Sequence, residues 1–271
     1  MAETVLNNIL LQLFYFIVII FSFGYLISVI NKMFYKLTGN DKRVAYATGI
    51  IGTPIHELSH AAMCIVFMHR INEIRLFHID PESGNLGYVS HTFNKKNLYQ
   101  VVGNYFIGTA PIVGGTLFIY FLIKVMLPEA FEGINNSIAV FSQSQMAGFD
   151  VEHFTGAFVT AIEMIKNLFC SISEGVNWWF FMLLSLCIAL HMNLSTLDIK
   201  GSLKAIPYLV VFVAFLNFIL AYVFDTAYIY YVGFMNSAGS FLAGVLILSA
   251  VLALVSLFVA FIIKILINAF K

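Results

Sequence analysis

The residues of this chain best suited to chemistry lie in "HELSH", His56 to His60. Two histidines four positions apart share one face of a helix at a separation that suits a single metal ion. Glu57, next to the first of them, is then within reach of water at that ion. This is the donor set of a zinc hydrolase, in which the metal makes water a nucleophile near neutral pH and a carboxylate takes the proton. The surrounding stretch, "GIIGTPIHELSHAAMCIVFMHR" (Gly49 to Arg70), is otherwise apolar. A carboxylate there is costly unless something compensates it, and a divalent cation held by neutral imidazoles would do so. The plainer alternative is that both histidines hydrogen-bond inside a helical bundle.

Zinc takes a third protein ligand and, in a catalytic site, keeps a further position open. The stretch "ALHMNLSTLDIKGSLKAIP", Ala189 to Pro207, offers two candidates. Asp198 is the carboxylate at the right depth, although an Asp there could also cap a helix starting near Ile199. His191 is the alternative third ligand. Asn193 and Ser195 could donate to a substrate carbonyl or orient a ligand, or could simply bond one helix to another.

The elements that must position these residues follow from composition. With 61% hydrophobic, 16% aromatic and only 10% charged residues, and a mean hydropathy of +0.91, the chain has too little polar surface to cover a soluble globule. It reads as a single all-α integral membrane domain embedded in a lipid bilayer. The net charge is zero and there is no basic run, which excludes a nucleic-acid partner. Cys64, Cys170 and Cys187 have no paired spacing, so they read as small buried hydrophobes rather than a disulfide or thiolate site.

About six segments are long enough to cross a bilayer: Ile9–Ile30, Ala45–Met68, Leu98–Met126, Trp178–Leu197, Leu203–Phe224 and Phe241–Phe270. The first lacks the basic flank and cleavage site of a signal peptide and reads as a retained span. A β-hairpin is expected at about 71–94, around the turn-forming run Pro81-Glu-Ser-Gly-Asn85. An insertion at about 128–177 has helical spacing over "DVEHFTGAFVTAIEMIKNLF", which fits a helix on the membrane surface or one packed against protein. Lys and Arg placement sets Arg70, Arg75, Lys95, Lys96, Lys200, Lys204, Lys264 and Lys271 on one side. Lys32, Lys36, Lys42, Arg43, Lys124 and Lys166 fall on the other. By the positive-inside rule both termini and the hairpin face the cytoplasm, in the cell membrane.

An embedded "HELSH", a hairpin after it, "GTAPIVGG" (Gly108 to Gly115) on the next span and a later "STLD" resemble the site-2 protease family of intramembrane zinc metalloproteases. The resemblance covers roughly Ile51 to Gly201 and implies a proteolytic core of about 45–201. It makes His56, His60 and Asp198 the zinc ligands and Glu57 the catalytic acid and base. It also implies hydrolysis of a peptide bond in a membrane-spanning or membrane-associated protein substrate. The chain departs from the family where Ile199 follows Leu197-Asp198 in place of Gly, and where Gly114 replaces the Asn of the Gly-Pro element; PDZ and CBS modules are absent from the sequence. Two other readings stand beside it. One is a membrane zinc peptidase resembling the CAAX-processing enzymes, with Glu163 or Glu174 as the third ligand. The other is a non-catalytic metal-binding scaffold or transporter.

Overall fold

A computed structural model describes residues 2–80, 84–145 and 151–269. Helix α1 (Ala2–Leu37) contains a π-helical stretch at Phe14–Ile19 and continues through it. Then come α2 (Lys42–Val66), strands β1 (Arg70–Arg75) and β2 (Tyr88–Thr92), α3 (Leu98–Met126), α4 (Pro128–Gln145) and α5 (Val151–Cys170). A 3-10 turn at Ser171–Glu174 leads into α6 (Val176–Leu190), α7 (Thr196–Val223) and α8 (Asp225–Ala269). Among the described residues the fold is all-α apart from one two-stranded antiparallel sheet.

Among the described residues, four helices are long and apolar enough to cross a membrane: Ala2–Leu37, Leu98–Met126, Thr196–Val223 and the Thr226–Leu266 part of α8. These correspond to the first, third, fifth and sixth expected spans. The second, α2, has the length, but Lys42, Arg43, His56, Glu57 and His60 dilute its apolar character. The fourth differs most from expectation. Trp178–Leu197 is not one helix, because α6 stops at Leu190, and residues 191–195 separate it from α7. Fifteen residues rise only about 22 Å, short of the roughly 30 Å of hydrocarbon. The turn before Thr196 is made by Ser195, whose side chain accepts from the N–H of Asp198 at 3.1 Å. Asp198 in return accepts from the N–H of Ser195 at 2.8 Å, completing a reciprocal cap.

The hairpin pairs Arg70 with Thr92 and Arg75 with Tyr88, with an irregularity between Ile71 and Glu73. Pro81, Glu82 and Ser83 of its expected turn lie outside the described residues. The insertion forms α4 and α5, which pack on each other and on α8; Ile134, Ile138, Met164 and Leu168 are buried in the main core. Protein contact therefore accounts for that apolar stripe.

Polar side chains tie the long helices together where water is scarce. Asn217 donates to Gln12 at 2.9 Å, Tyr231 donates to the same Gln12 oxygen at 3.0 Å, and Tyr15 and Ser240 share a bond of 3.0 Å. Tyr15 meets Ser240, and Lys36 shares a groove with Lys264, so α1 and α8 run in the same direction. Ala2 and Ala269 thus lie at opposite ends of the bundle. Lys264 belongs with Lys36 rather than with Arg70 and Arg75, and the expectation of both termini on one side does not fit these helix directions.

Close contact at glycines brings the chemical residues together. A methyl group at Gly52 would strike the carbonyl of Cys187 and the side chain of His191, so the backbone of α2 approaches the backbone of α6 and the His191 side chain just after it. One at Gly108 would strike Ser202 and the carbonyl of Asp198, so the first turn of α7 lies directly on α3. Gly108→Ala should push that turn away, costing about 1–3 kcal/mol. Thermal unfolding of the purified protein in detergent is the check, and an unchanged midpoint would show that the contact does not matter.

Candidate metal centre

His56, Glu57 and His60 sit in the middle of α2, with the two imidazole centroids 5.0 Å apart. Each ring is anchored by a different neighbouring segment. His56 Nδ1 lies 2.7 Å from the carbonyl oxygen of His191, and His60 Nδ1 lies 2.8 Å from that of Ile107. A carbonyl can only accept, so both Nδ1 atoms carry the proton. In the neutral rings both Nε2 atoms are then lone-pair donors, the tautomer a metal requires.

Asp198 completes the group. His56, His60 and Asp198 each offer a ligand atom, all within 4.8 Å of one another, and Asp198 Oδ1 is 3.5 Å from His60 Nε2. The two roles weighed for Asp198 coexist, since Oδ2 accepts from the helix start while Oδ1 faces the histidine. His191 contributes its main-chain carbonyl to His56, and its ring turns to the carbonyl of Cys187, 3.1 Å from Nδ1. Its Nε2 would be 3.3 Å from a methyl at Gly49, on the flank of α2 rather than in the three-residue group.

Asn193 donates to the carbonyl of Leu190 at 3.2 Å and accepts from Asn31 at 3.1 Å, which joins the break to α1. Ser195 is committed to the helix cap and acts by holding Asp198. Of the other carboxylates considered, Glu163 pairs with Lys166 at 3.6 Å and Glu174 ends the 3-10 turn; neither joins the histidines.

The donor chemistry fits a divalent metal ion. Glu57 is only 6% exposed, and among the described residues no hydrogen bond or ion pair holds its carboxylate. It lies within electrostatic range of Asp198. Among the described residues the ion pairs made by Lys and Arg are Arg43 with Asp41, Arg75 with Glu73 and Lys166 with Glu163, which leaves both of these acids without a Lys or Arg partner there. Two carboxylates with inward-facing imidazole lone pairs form a site rich in acceptors and poor in positive charge. An ion held by His56, His60 and Asp198 would supply the missing charge and would leave Glu57 free beside it. The strand segment at Gly87 closes over Glu57, where a methyl group would lie 3.0 Å from its Cγ.

No family model matches the chain, and comparison with curated proteins and with solved structures yields no similar protein. The reading of this centre therefore rests on its geometry and on the HELSH spacing.

Metal analysis of the purified protein should find one bound divalent ion per chain. His56→Ala, His60→Ala and Asp198→Ala should each weaken binding by at least about a hundredfold, as loss of one of three protein ligands implies. His191→Ala, which keeps the main-chain carbonyl, should retain the ion. Loss of the ion in His191→Ala with retention in Asp198→Ala would reverse the assignment.

Proposed function

We propose that this protein is an intramembrane zinc metalloprotease that hydrolyses a peptide bond in a membrane-spanning or membrane-associated protein, in the manner of the site-2 protease family it resembles. The observation that carries the reading is the meeting of His56, His60 and Asp198 from two separate helices, with the partnerless carboxylate of Glu57 beside them. Two imidazole nitrogens and one carboxylate oxygen are a ligand set that suits zinc. When bound, zinc supplies Lewis-acid polarisation of a carbonyl and of water near neutral pH.

The remaining work falls to the chain. Glu57 accepts the proton of the attacking water as the new C–O bond forms. It returns that proton to the amine nitrogen as the C–N bond breaks. His191 and Ile107 keep the two imidazoles oriented through their carbonyls. Ser195 holds Asp198 by the reciprocal cap.

A peptide bond inside a transmembrane helix is already hydrogen-bonded, so a substrate must unwind before reaching the centre. The β1–β2 sheet lies directly after the HELSH helix and packs on it, with outer strand edges able to pair with an unwound segment. The CAAX-like alternative is weakened by the positions of Glu163 and Glu174. A metal-holding scaffold or transporter remains a different class, and Glu57 separates it from an enzyme.

Glu57→Gln should retain the metal and reduce cleavage of a co-reconstituted membrane substrate by about 100-fold to 10,000-fold, the usual range for a general base. Full cleavage by this variant would end the hydrolase reading. Proline at Tyr88 or Ser90 should reduce cleavage with metal content intact; undiminished cleavage would remove the strand-pairing step.

A further inference from the structure

Two further histidines stand at the end of the HELSH helix, outside the metal-holding group. Beyond Val66 the chain turns through Met68, at a φ of 56°, and the N–H of His69 returns to the carbonyl of Cys64 at 2.8 Å. His69 is buried and stacks on Phe93, with ring centroids 5.0 Å apart and planes 13° from parallel. Its Nε2 lies 2.8 Å from the carbonyl oxygen of Gln100. Only the nitrogen can donate in that contact, so Nε2 carries the proton, and in the neutral ring, which burial favours, Nδ1 has a lone pair. That Nδ1 is 3.0 Å from Nδ1 of His91. His91 must therefore be the donor, and the Nε2 of neutral His91 is left as an unprotonated acceptor.

The frame behind this pair is closely hydrogen-bonded. Gln100 donates to the carbonyl of Met68 and accepts from the N–H of Asn94, each at 2.7 Å, while the Tyr99 hydroxyl donates to the carbonyl of Val66 at 2.8 Å. Burial, and after it the neighbouring His69 ring, holds His91 below the usual imidazole range, which favours the neutral form. His91 shares the inner face of β2 with Val89, and Gly87, two residues before Val89, is the position pressed against Glu57. His91 is also within electrostatic reach of His60 and Asp198, yet is not one of the three clustered donors.

An unwound peptide brings main-chain N–H groups into a place with little water, where each one left unmet is costly. A bound ion would occupy the clustered acceptors of His56, His60 and Asp198, and the reacting proton would occupy that of Glu57. Beside the main-chain carbonyls of the strand edges, His91 Nε2 is a side-chain acceptor left for the peptide among the described residues. We infer that His91 is a substrate-binding residue, its Nε2 accepting from a main-chain N–H of the bound segment, and that His69 is the positioning residue that sets its tautomer. This inference rests on the hydrolase reading above.

The test uses the full chain in nanodiscs with three readouts. Nitrogen-15 NMR of histidine-labelled protein, metal-free, should show His91 protonated on Nδ1, and His69→Phe should abolish that preference. Acetohydroxamate, which probes the metal alone, should bind equally to the zinc-loaded wild type, His91→Phe and His91→Asn. A leucine-rich peptide hydroxamate should bind about tenfold more weakly to His91→Phe, the loss expected for one hydrogen bond. Analogues in which an ester oxygen replaces one main-chain N–H should lose about tenfold at one position in the wild type. They should lose nothing further in His91→Phe and part of the effect in His91→Asn, which retains an acceptor. A merely structural role would leave the amide-to-ester difference intact in His91→Phe, and that result overturns the inference. So does a wild-type His91 protonated on Nε2. A wild type that binds neither zinc nor acetohydroxamate sinks the hydrolase reading first, and this inference with it.

Discussion

The centre depends on two hydrogen bonds that leave α2: the Nδ1 protons of His56 and His60 go to main-chain carbonyls at 191 and 107, on the segment following α6 and on α3. Each bond does two things at once. It satisfies a buried donor that would otherwise be costly to leave unmet, and it fixes which nitrogen carries the lone pair. Neither bond can form unless the helices meet at close range, which explains why small residues line those contacts. Gly52 admits His191, and Gly108 admits the start of α7.

The interruption at residues 191–195 is the second requirement. A continuous helix through this region would pair the carbonyl of His191 with an N–H of its own helix. Ending α6 at Leu190 frees that oxygen for His56, and starting α7 at Thr196 puts Asp198 in its first turn. The positive end of the α7 dipole favours an ionised carboxylate there. Asp198 divides its two oxygens between the cap and the histidine face, so helix initiation and construction of the centre are one local event. The polar pairs farther along, Gln12 with Asn217 and Tyr15 with Ser240, hold α1, α7 and α8 in register around it.

Much of this was legible in the residues themselves. The spacing of His56 and His60 placed both on one helical face, and the β-leaning runs around Pro81 marked the strands. Asp198 stood out as a carboxylate at membrane depth. The break between α6 and α7 was harder to see, because hydropathy averages across "LHMNLST" and hides a five-residue gap. The S-x-x-D pattern of Ser195 and Asp198 carried the signal: it is a capping-box spacing and marks a helix start at Thr196 rather than near Ile199. The main-chain role of His191 had no sequence signal, since periodicity describes side chains. Helix direction was illegible for a related reason: the charges of Lys36 and Lys264 do not reveal that they share a groove.

The acceptors behind His56 and His60 are peptide oxygens, which any amino acid can offer. Positions 107 and 191 therefore constrain backbone path and leave residue identity open, while the glycines ask only for smallness. Exposed apolar residues such as Val211 and Phe215 on the long helix α7 need only remain apolar. A centre of this design places exacting demands on four side chains, His56, Glu57, His60 and Asp198, and tolerant ones on most of the rest. Such a design leaves most of the composition free while it fixes the geometry of one three-donor group.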